Sequence, residues 1–498
     1  MKNTKKLIAI FTALLLLLFA ACNNEKNSDN TNNKDNNEPG IADTDGSISE
    51  SQIGYASLPA VDYEGTDFVI ANLSGYTWVD VTLDVEAAEA GEMLNDAIYR
   101  RNRGIEEKYN VLLKLIDIPF DQMAANIKTH MLAGYCEYDI MQAPMRFAIA
   151  PLSVDNYIAD ASKLEKLDLS NPWWDNFAHA NTSILGKQFF LYGDFTIADK
   201  EYTAAMVVNK DMQKEYGLPD YYQFVRDGTW TLDTMLESMK VVTKDLDGND
   251  RWTKDDQYGL VGNLHSQMAV FYGAGENIIK KDSDDMPYLV IKNESYLNAF
   301  TRVCEFLNTD KTTADAFKLG TNEEIMFCEG KSLFASVLVA TVRAPNNILR
   351  EMEYQFGLLP MPKLDEKQGR YYHFLDGSTP CVAILNNDHE RNERAGVLLE
   401  ALSAKSSEEV QPKYREYALP LKYFRDEESF EMLDIILKSR IFDMAVIYGW
   451  GNLDGNDGRM RTLLAANKPD QLISTIEKYL PIAEEAMATD IEKLLTVK

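Results

Sequence analysis

Histidine and cysteine are scarce in this chain, five of each among 498 residues. The histidines, at 130, 179, 265, 373 and 389, show no metal-ligand spacing, and HERNE at 389–393 lacks the second histidine of an HExxH helix. Cys136, Cys304, Cys328 and Cys381 are widely separated with no CxxC pair. That excludes a zinc ribbon or a disulfide scaffold and leaves buried thiols acting as small hydrophobes. There is no GxSxG elbow, and EGKSLF (329–334) fails as a phosphate loop because Ile325 stands where the first glycine must be. Positive charge is short too: 50 Lys and Arg against 78 Asp and Glu give a net charge of −28. Such a chain repels phosphate backbones, so nucleic acid is excluded as a partner. Beyond Phe19 no apolar run reaches the ~20 residues of a membrane span.

What is present begins with the one apolar run, Leu7 to Phe19, preceded by Lys2, Lys5 and Lys6 in signal-peptide order. FAAC (19–22) resembles a bacterial lipobox, with Phe19 where leucine is usual. The expectation is a lipoprotein signal peptide over 1–21 and lipidation of Cys22; the other reading is an unmodified cysteine in a secretory signal. Two acyl chains on Cys22 would hold the protein to the outer membrane face, where one chain would not. Eight asparagines fill residues 23–37, a composition that cannot repay the entropy of ordering. Residues 22–60 therefore read as a disordered polar tether with a mean reach of about 30–35 Å.

The folded body alternates strand and helix. DFVIANLSG (67–75), VLLKLIDIP (111–119) and YDIMQAP (138–144) read as strands, separated by helices over 94–110 and 120–134. This pattern predicts a parallel sheet whose strand carboxyl ends form a ligand rim. Tyr76 and Trp78 follow the first strand; Met145 and Arg146 follow the third. With 25 Tyr, 21 Phe and 6 Trp the chain suits sugar recognition, in which aromatic faces stack on pyranose C–H surfaces. The bland alternative for Tyr76 and Trp78 is that they are packed or surface-loop aromatics. Trp230 is expected to pack before a helix capped by Thr231, and Trp173 and Trp174 to pack on helices. DLDGNDRWTKDD (245–256) sets Asp245, Asp247, Asn249, the Arg251 carbonyl and Asp256 at positions one, three, five, seven and twelve of an EF-hand loop. Asp250 replaces its glycine and Asp256 its glutamate, and a metal-free acidic turn is the other reading.

Several stretches then resemble one family in order: NDAIYRRNRGIEEKYNV, YDIM, LYGDFTIADKEYTAAMVVNKDM, TWTLDTMLESMKVVT, GLLPMPK and RDEESFEMLDIILKSRIFD. They are similar to the extracellular solute-binding proteins of bacterial ABC importers, family 1, the maltose-binding-like class. The resemblance implies an α/β, two-lobe periplasmic-binding-protein-like fold of type II, with hinge-connected lobes and a helical C-terminal region. It assigns 61–200 to lobe one, 201–357 to lobe two, 358–410 to a return into lobe one, and 411–498 to lobe-two helices. It implies capture of a carbohydrate, no catalysis, ABC permease subunits as partners, a monomer, and an anchored, Gram-positive form. It places a stacking aromatic near Trp450; Asp194 in LYGDF, Tyr272 in FYGAGEN and Asp376 in FLDGS are further candidate ligand contacts by position. No cofactor is required, and structural Ca2+ in the 245–256 loop is consistent with it. An extracellular glycoside hydrolase, a peptide receptor and an adhesive lipoprotein stand as the alternatives, since 78 acids supply carboxylate pairs by chance.

Overall fold

The computed structural model describes residues 54–75, 93–343, 349, 352–415, 427–454 and 458–496. Cys22, Tyr76 and Trp78, with the signal segment, lie outside the described residues. The tether boundary at residue 60 needs correction. The Tyr55 hydroxyl donates to the Gly104 carbonyl at 2.8 Å, and Lys108 and Lys405 lie over its ring. An aromatic ring with a polar tip gives the chain something to bury, so the folded body begins before Tyr63.

The first sheet starts with β1 (Thr66–Ser74), which buries Phe68, Ile70, Ala71 and Leu73 and so is covered on both faces. Helix α1 (Met93–Tyr109) buries Ala97, Ile98, Ile105 and Tyr109 on one face. It leads into β2 (Val111–Pro119), whose ends alternate buried and exposed positions as a half-covered edge strand does. Helix α2 (Met123–Leu132) and the wholly buried β3 (Ile140–Pro144) follow. β1 pairs in parallel with both β2 and β3, so Ser74, Pro119 and Pro144 end on one edge. A π-helical turn, Met145–Ile149, closes β3 and runs into α3 (Ala150–Val154).

The second sheet begins with the buried β4 (Ala204–Asn209). Helix α4 (Leu232–Val242) is capped by Thr231, whose hydroxyl accepts from the Thr234 N–H. Trp230 is fully buried before it, its Nε1 donating to the Pro360 carbonyl at 2.9 Å. The chain continues through β5 (Tyr258–Gly262), α5 (Leu264–Gly273) and the hairpin of β6 (Ile279–Lys281) with β7 (Pro287–Leu289). Then come α6 (Glu294–Asn308), β8 (Thr313–Asp315), α7 (Glu323–Cys328), β9 (Ser332–Leu338) and β10 (Phe356–Leu359). The order is β10-β4-β9-β5-β8, with β5 parallel to β8 and β9 and with β4 antiparallel to β9 and β10.

From β10 the chain passes through β11 (His373–Phe374) back to the first sheet, where β12 (Pro380–Ile384) pairs antiparallel with β3. That puts residues 376–379 beside the carboxyl end of β3, where Met145 N–H donates to Thr379 O and Arg146 N–H to Gly377 O. Helix α8 (His389–Lys413) packs on α1. After it come α9 (Glu428–Lys438), β13 (Arg440–Ile441), α10 (Met444–Tyr448), α11 (Arg459–Ala465) and α12 (Leu472–Thr496). The assignment of 411–498 to one lobe is corrected by the packing. α9 lies on β10 and α11 on α5, with the second sheet, whereas α12 lies on α3, with the first. Burying the apolar face of α12 (Leu472, Ile476, Leu480, Ala483) requires a partner surface, and the 450–452 turn and α3 supply it.

The segments that connect the sheets pair with one another: Thr203 bridges to Leu375, and β11 runs parallel to β13. Arg440 binds Asp175 and Asp199 there, and His373 is wholly buried, its Nε2 accepting from the Met361 N–H at 3.0 Å. Of the free cysteines, Cys136, Cys304 and Cys381 are buried and Cys328 partly so, the small-hydrophobe role their spacing suggested.

Candidate functional site

At the carboxyl end of β3, the π-helical turn turns Met145, Ala148 and Ile149 inward and leaves Arg146 only partly buried. Arg146 Nη1 donates to the Asp454 carbonyl at 2.5 Å and Nη2 to Asn452 Oδ1 at 3.2 Å. Two glycines make room for this arginine. A Cβ at Gly377 would lie 2.9 Å from the Arg146 Cβ, and one at Gly449 would lie 2.8 Å from Nη2. Gly449 also holds φ at 69°, where a side chain would be strained.

Arg461, on α11, is the centre of the cluster and is wholly buried. Its Nη2 donates to Asp376 Oδ2 at 3.1 Å, its Nε to Asp454 Oδ1 at 3.3 Å, and its Nη1 to His265 Nδ1 at 2.6 Å. A guanidinium only donates, so Nδ1 accepts and the ring proton of His265 sits on Nε2. The Tyr272 hydroxyl donates to Asp454 Oδ2 at 3.2 Å, and its ring stacks on Phe374 at 4.5 Å. Asp376 accepts from the Ser378 N–H at 3.0 Å and hydroxyl at 2.7 Å. Burial alone would raise the Asp376 carboxyl; the Arg461 guanidinium and the Ser378 donors oppose it and hold the group below the usual carboxylate range.

Each member arrives by a short local rule. His265 lies in the first turn of α5, directly after the carboxyl end of β5, because Asn263 caps that helix by accepting from the His265 and Ser266 N–H groups. Asn263 in turn donates to Glu323 Oε1 at 2.5 Å. Burial, and then neighbouring Glu324, push the Glu323 carboxyl up. Side-chain exposure runs from 0% at Arg461 and Asp454 through 17% at Asp376 to 48% at His265. The cluster is therefore sealed behind and open at its His265–Asp376 edge.

The structure brings Arg146, Tyr272 and Asp376 into one cluster and sets Met145 beside it, its sulfur accepting from the Tyr192 hydroxyl. Met145 and Tyr272 are buried, so any part they play runs through neighbours. Two expected contacts stand elsewhere. Trp450 is 2% exposed, stacked on Tyr448 at 4.8 Å, with Nε1 donating to Asp490 on α12. That corrects its reading as a ligand-stacking ring: its indole is a packing piece that seats α12. Asp194 lies 3.6 Å from Lys200 in a separate concavity of about 270 Å³ near the sheet connections, with Trp173, Trp174 and Arg440. Both tryptophans donate through Nε1 to the Glu400 carboxylate, at 2.8 and 3.0 Å, a structural duty. Sequence reading missed His265, Asp454 and Arg461. Only Asp454 had a visible signal, four residues beyond Trp450 in the same Gly-rich loop.

In the 245–256 loop, carboxylate oxygens of Asp245, Asp247 and Asp256 lie within 4.8 Å of one another. Asp250 takes φ of 61°, the left-handed turn that the missing glycine would supply. Asn249 Oδ1 is committed to the Arg251 N–H at 2.6 Å. The donor set is all oxygen, which fits a hard cation such as Ca2+.

At the sequence level no family model and no curated protein matches the chain. Solved structures do. A cyclo/maltodextrin-binding protein solved with maltotetraose aligns over 87% of this chain and 98% of its own, at 14% identity and a TM-score of 0.54. The sugar-binding protein MalE of Xanthomonas citri aligns over 86% and 97%, at 11% identity and 0.53. Lmo0181 of Listeria monocytogenes, an ABC substrate-binding protein solved with cycloalternan, aligns over 86% and 98%, at 12% and 0.50. The fold is the two-lobe one of ABC solute-binding proteins. Lobe one is built on the β12-β3-β1-β2 sheet and lobe two on the β10-β4-β9-β5-β8 sheet. The Arg461 cluster ties the carboxyl rim of one to that of the other. Among the described residues no helix is long and apolar enough to cross a membrane.

Proposed function

We propose that this protein is the substrate-binding component of an ABC importer and captures a carbohydrate, an oligosaccharide by preference, between its lobes. The observation that carries this reading is the Arg461 cluster: it joins the carboxyl ends of β3 and β5, one per lobe, and opens at His265 and Asp376. The maltotetraose and cycloalternan held by proteins of the same fold support the ligand class. The working cycle is capture in the open form, closure, and presentation of the closed form to permease subunits. Lipidation of Cys22 and an outer-face location complete the reading, supported by the lipobox-like FAAC at 19–22 and the polar stretch that follows it. The protein catalyses nothing in this reading, which the substrate-binding role of proteins of the same fold supports.

A thermal-shift series with maltotetraose, raffinose, xylotetraose and cellotetraose tests it. One sugar raises the melting temperature without being consumed. Release of product from that sugar overturns the receptor reading in favour of a hydrolase. The 245–256 loop, in the same reading, holds structural Ca2+: added Ca2+ raises the melting temperature, and Asp245→Asn removes the response. No shift with millimolar Ca2+ rejects that site.

A further inference from the structure

Two turn tips, one from each lobe, meet away from the segments that connect the sheets. The lobe-one tip is the turn at 183–187. Just beyond it Leu191 exchanges backbone hydrogen bonds with Val382 of β12, and Lys187 lies 3.5 Å from Asp160, so the turn belongs with the first sheet. The lobe-two tip is the end of the β6–β7 hairpin, which runs between α5 and α6. Helix α6 packs on α4 and α5, so the hairpin belongs with the second sheet.

Both tips hold backbone conformations that side chains avoid. Ile184 and Lys187 pair around Leu185 and Gly186, whose φ angles are 51° and 77°. Such a two-residue turn suits Asn-Gly, and a leucine in its first place is an outlier. Facing it, Asp285 takes φ of 63°. Strained positions persist only where their surroundings over-determine them. Here each tip supplies the surroundings of the other. The Leu185 N–H donates to the Asp285 carbonyl at 3.2 Å, the Gly186 N–H to Asp285 Oδ2 at 2.9 Å, and the Ser183 hydroxyl to Oδ1 at 3.1 Å. Lys281 Nζ donates to the Ser183 carbonyl at 3.1 Å and Oγ at 2.9 Å and pairs with Asp285 Oδ1. Side-chain exposures of 15% at Lys281 and 28% at Asp285 keep the pair largely out of water, where salt screens little. Among the described residues the charged atoms of both make no other hydrogen bond.

Lobes joined by connecting segments rotate about them, so a contact elsewhere between the lobes is made or lost with the rotation. Hydrogen bonds tolerate little stretch beyond about 3.2 Å, which makes this contact either whole or broken. In the same structure Arg461, on lobe two, holds Asp376 at the lobe-one rim. The tips are therefore joined when the rims are joined. We infer that Lys281 and Asp285 form a latch on the 183–187 turn, which favours the rim-joined lobe angle and so raises ligand affinity without touching ligand. The latch rests on the two-lobe fold; only its affinity readout rests on the carbohydrate reading above.

The test compares the full-length parent with Lys281→Met and Asp285→Gly. Methionine keeps the apolar stem without the ammonium, and glycine accepts the left-handed turn without the carboxylate. Without sugar, small-angle X-ray scattering should give both variants a larger radius of gyration than the parent, and amide exchange at Gly186 should speed up by about tenfold. Calorimetry with whichever of the four oligosaccharides gives the largest thermal shift should show affinity about fivefold weaker. Ser183→Ala, which removes one hydroxyl from the contact, should fall between the parent and these two. Ligand-free scattering equal to the parent in both variants overturns the latch, whatever the affinity does. A tighter affinity overturns it as well, because the contact would then hold the lobes apart. If no sugar shifts the melting of the parent, the carbohydrate reading fails while scattering and exchange still decide the latch.

Discussion

Arg440 and Arg461 are two buried arginines with the same first task, each gripping two carboxylates. Arg440 holds Asp175 and Asp199, and the side-chain exposures are 7%, 22% and 1%. Arg461 holds Asp376 and Asp454 but also reaches His265, which is 48% exposed. The Arg440 group sits where the sheet-connecting segments pair, and its charges are spent on one another. The Arg461 group lies at the strand carboxyl ends and leaves an imidazole and a carboxylate edge facing out. The same ion-pair chemistry therefore serves joining in one place and, in the function proposed above, recognition in the other, and the half-exposed His265 is what separates them.

The largest effect expected from this contrast is Arg440→Ala. It leaves Asp175 and Asp199 without the guanidinium that joins them, with Lys200 3.9 Å from Asp199, and removing one member of a buried ion group costs roughly 3–5 kcal/mol. Urea unfolding measures it. A loss below about 1 kcal/mol would mean that water reaches the connection and that the two arginine groups do not differ in sealing.

Asp376→Asn gives an intermediate effect with a pH signature. The folded carboxyl is held well below the unfolded value of about 3.9, so Asp376 adds stability that is present above that pH and lost as pH falls through the folded value. At pH 7 the variant should be less stable by about 2 kcal/mol, the scale of hydrogen bonds to a charged group. The gap should narrow below about pH 4, because the parent alone loses this contribution in acid. Thermal melts from pH 7 to pH 3 decide; a gap that stays constant over that range would place the stabilisation outside the Arg461 pair.

Much of the scaffold was legible because its rules are local. β2 runs 111–119 as the apolar pattern indicated, and Thr231 caps α4 through a contact three residues away. The site was only half legible. Arg146 follows a strand end and could be found by position, but Arg461 meets His265 across 196 residues and Asp376 across 85. No periodicity encodes such pairs. Trp450 misled because a tryptophan in a glycine-rich loop reads alike whether it faces ligand or seats a helix. Its Asp490 partner lies 40 residues on, in a helix whose placement only the fold reveals. The two-residue strands β11 and β13 are too short to leave a pattern at all.

The smallest effect on stability, and the sharpest on function, belongs to His265→Ala. The ring is half exposed and water can replace it at Arg461 Nη1, so its removal should change unfolding stability by only about 1 kcal/mol, less than the other two substitutions. Nδ1 accepts from Arg461, so the Nε2–H is the donor left over, and it is the one polar hydrogen of the cluster carried by a half-exposed side chain. Its loss takes a hydrogen bond from a bound hydroxyl and leaves Arg461 Nη1 without an acceptor behind it. Affinity for the responding oligosaccharide should fall by about tenfold, the equivalent of about 1.4 kcal/mol, while Arg440→Met, at the sheet-connecting group, should leave affinity near the parent value. Calorimetry on the two variants sets the arginine groups against each other directly. An affinity loss for Arg440→Met as large as for His265→Ala would put recognition at the connection rather than at the rim, because only a ligand-facing edge can register the loss of one donor without a loss of fold.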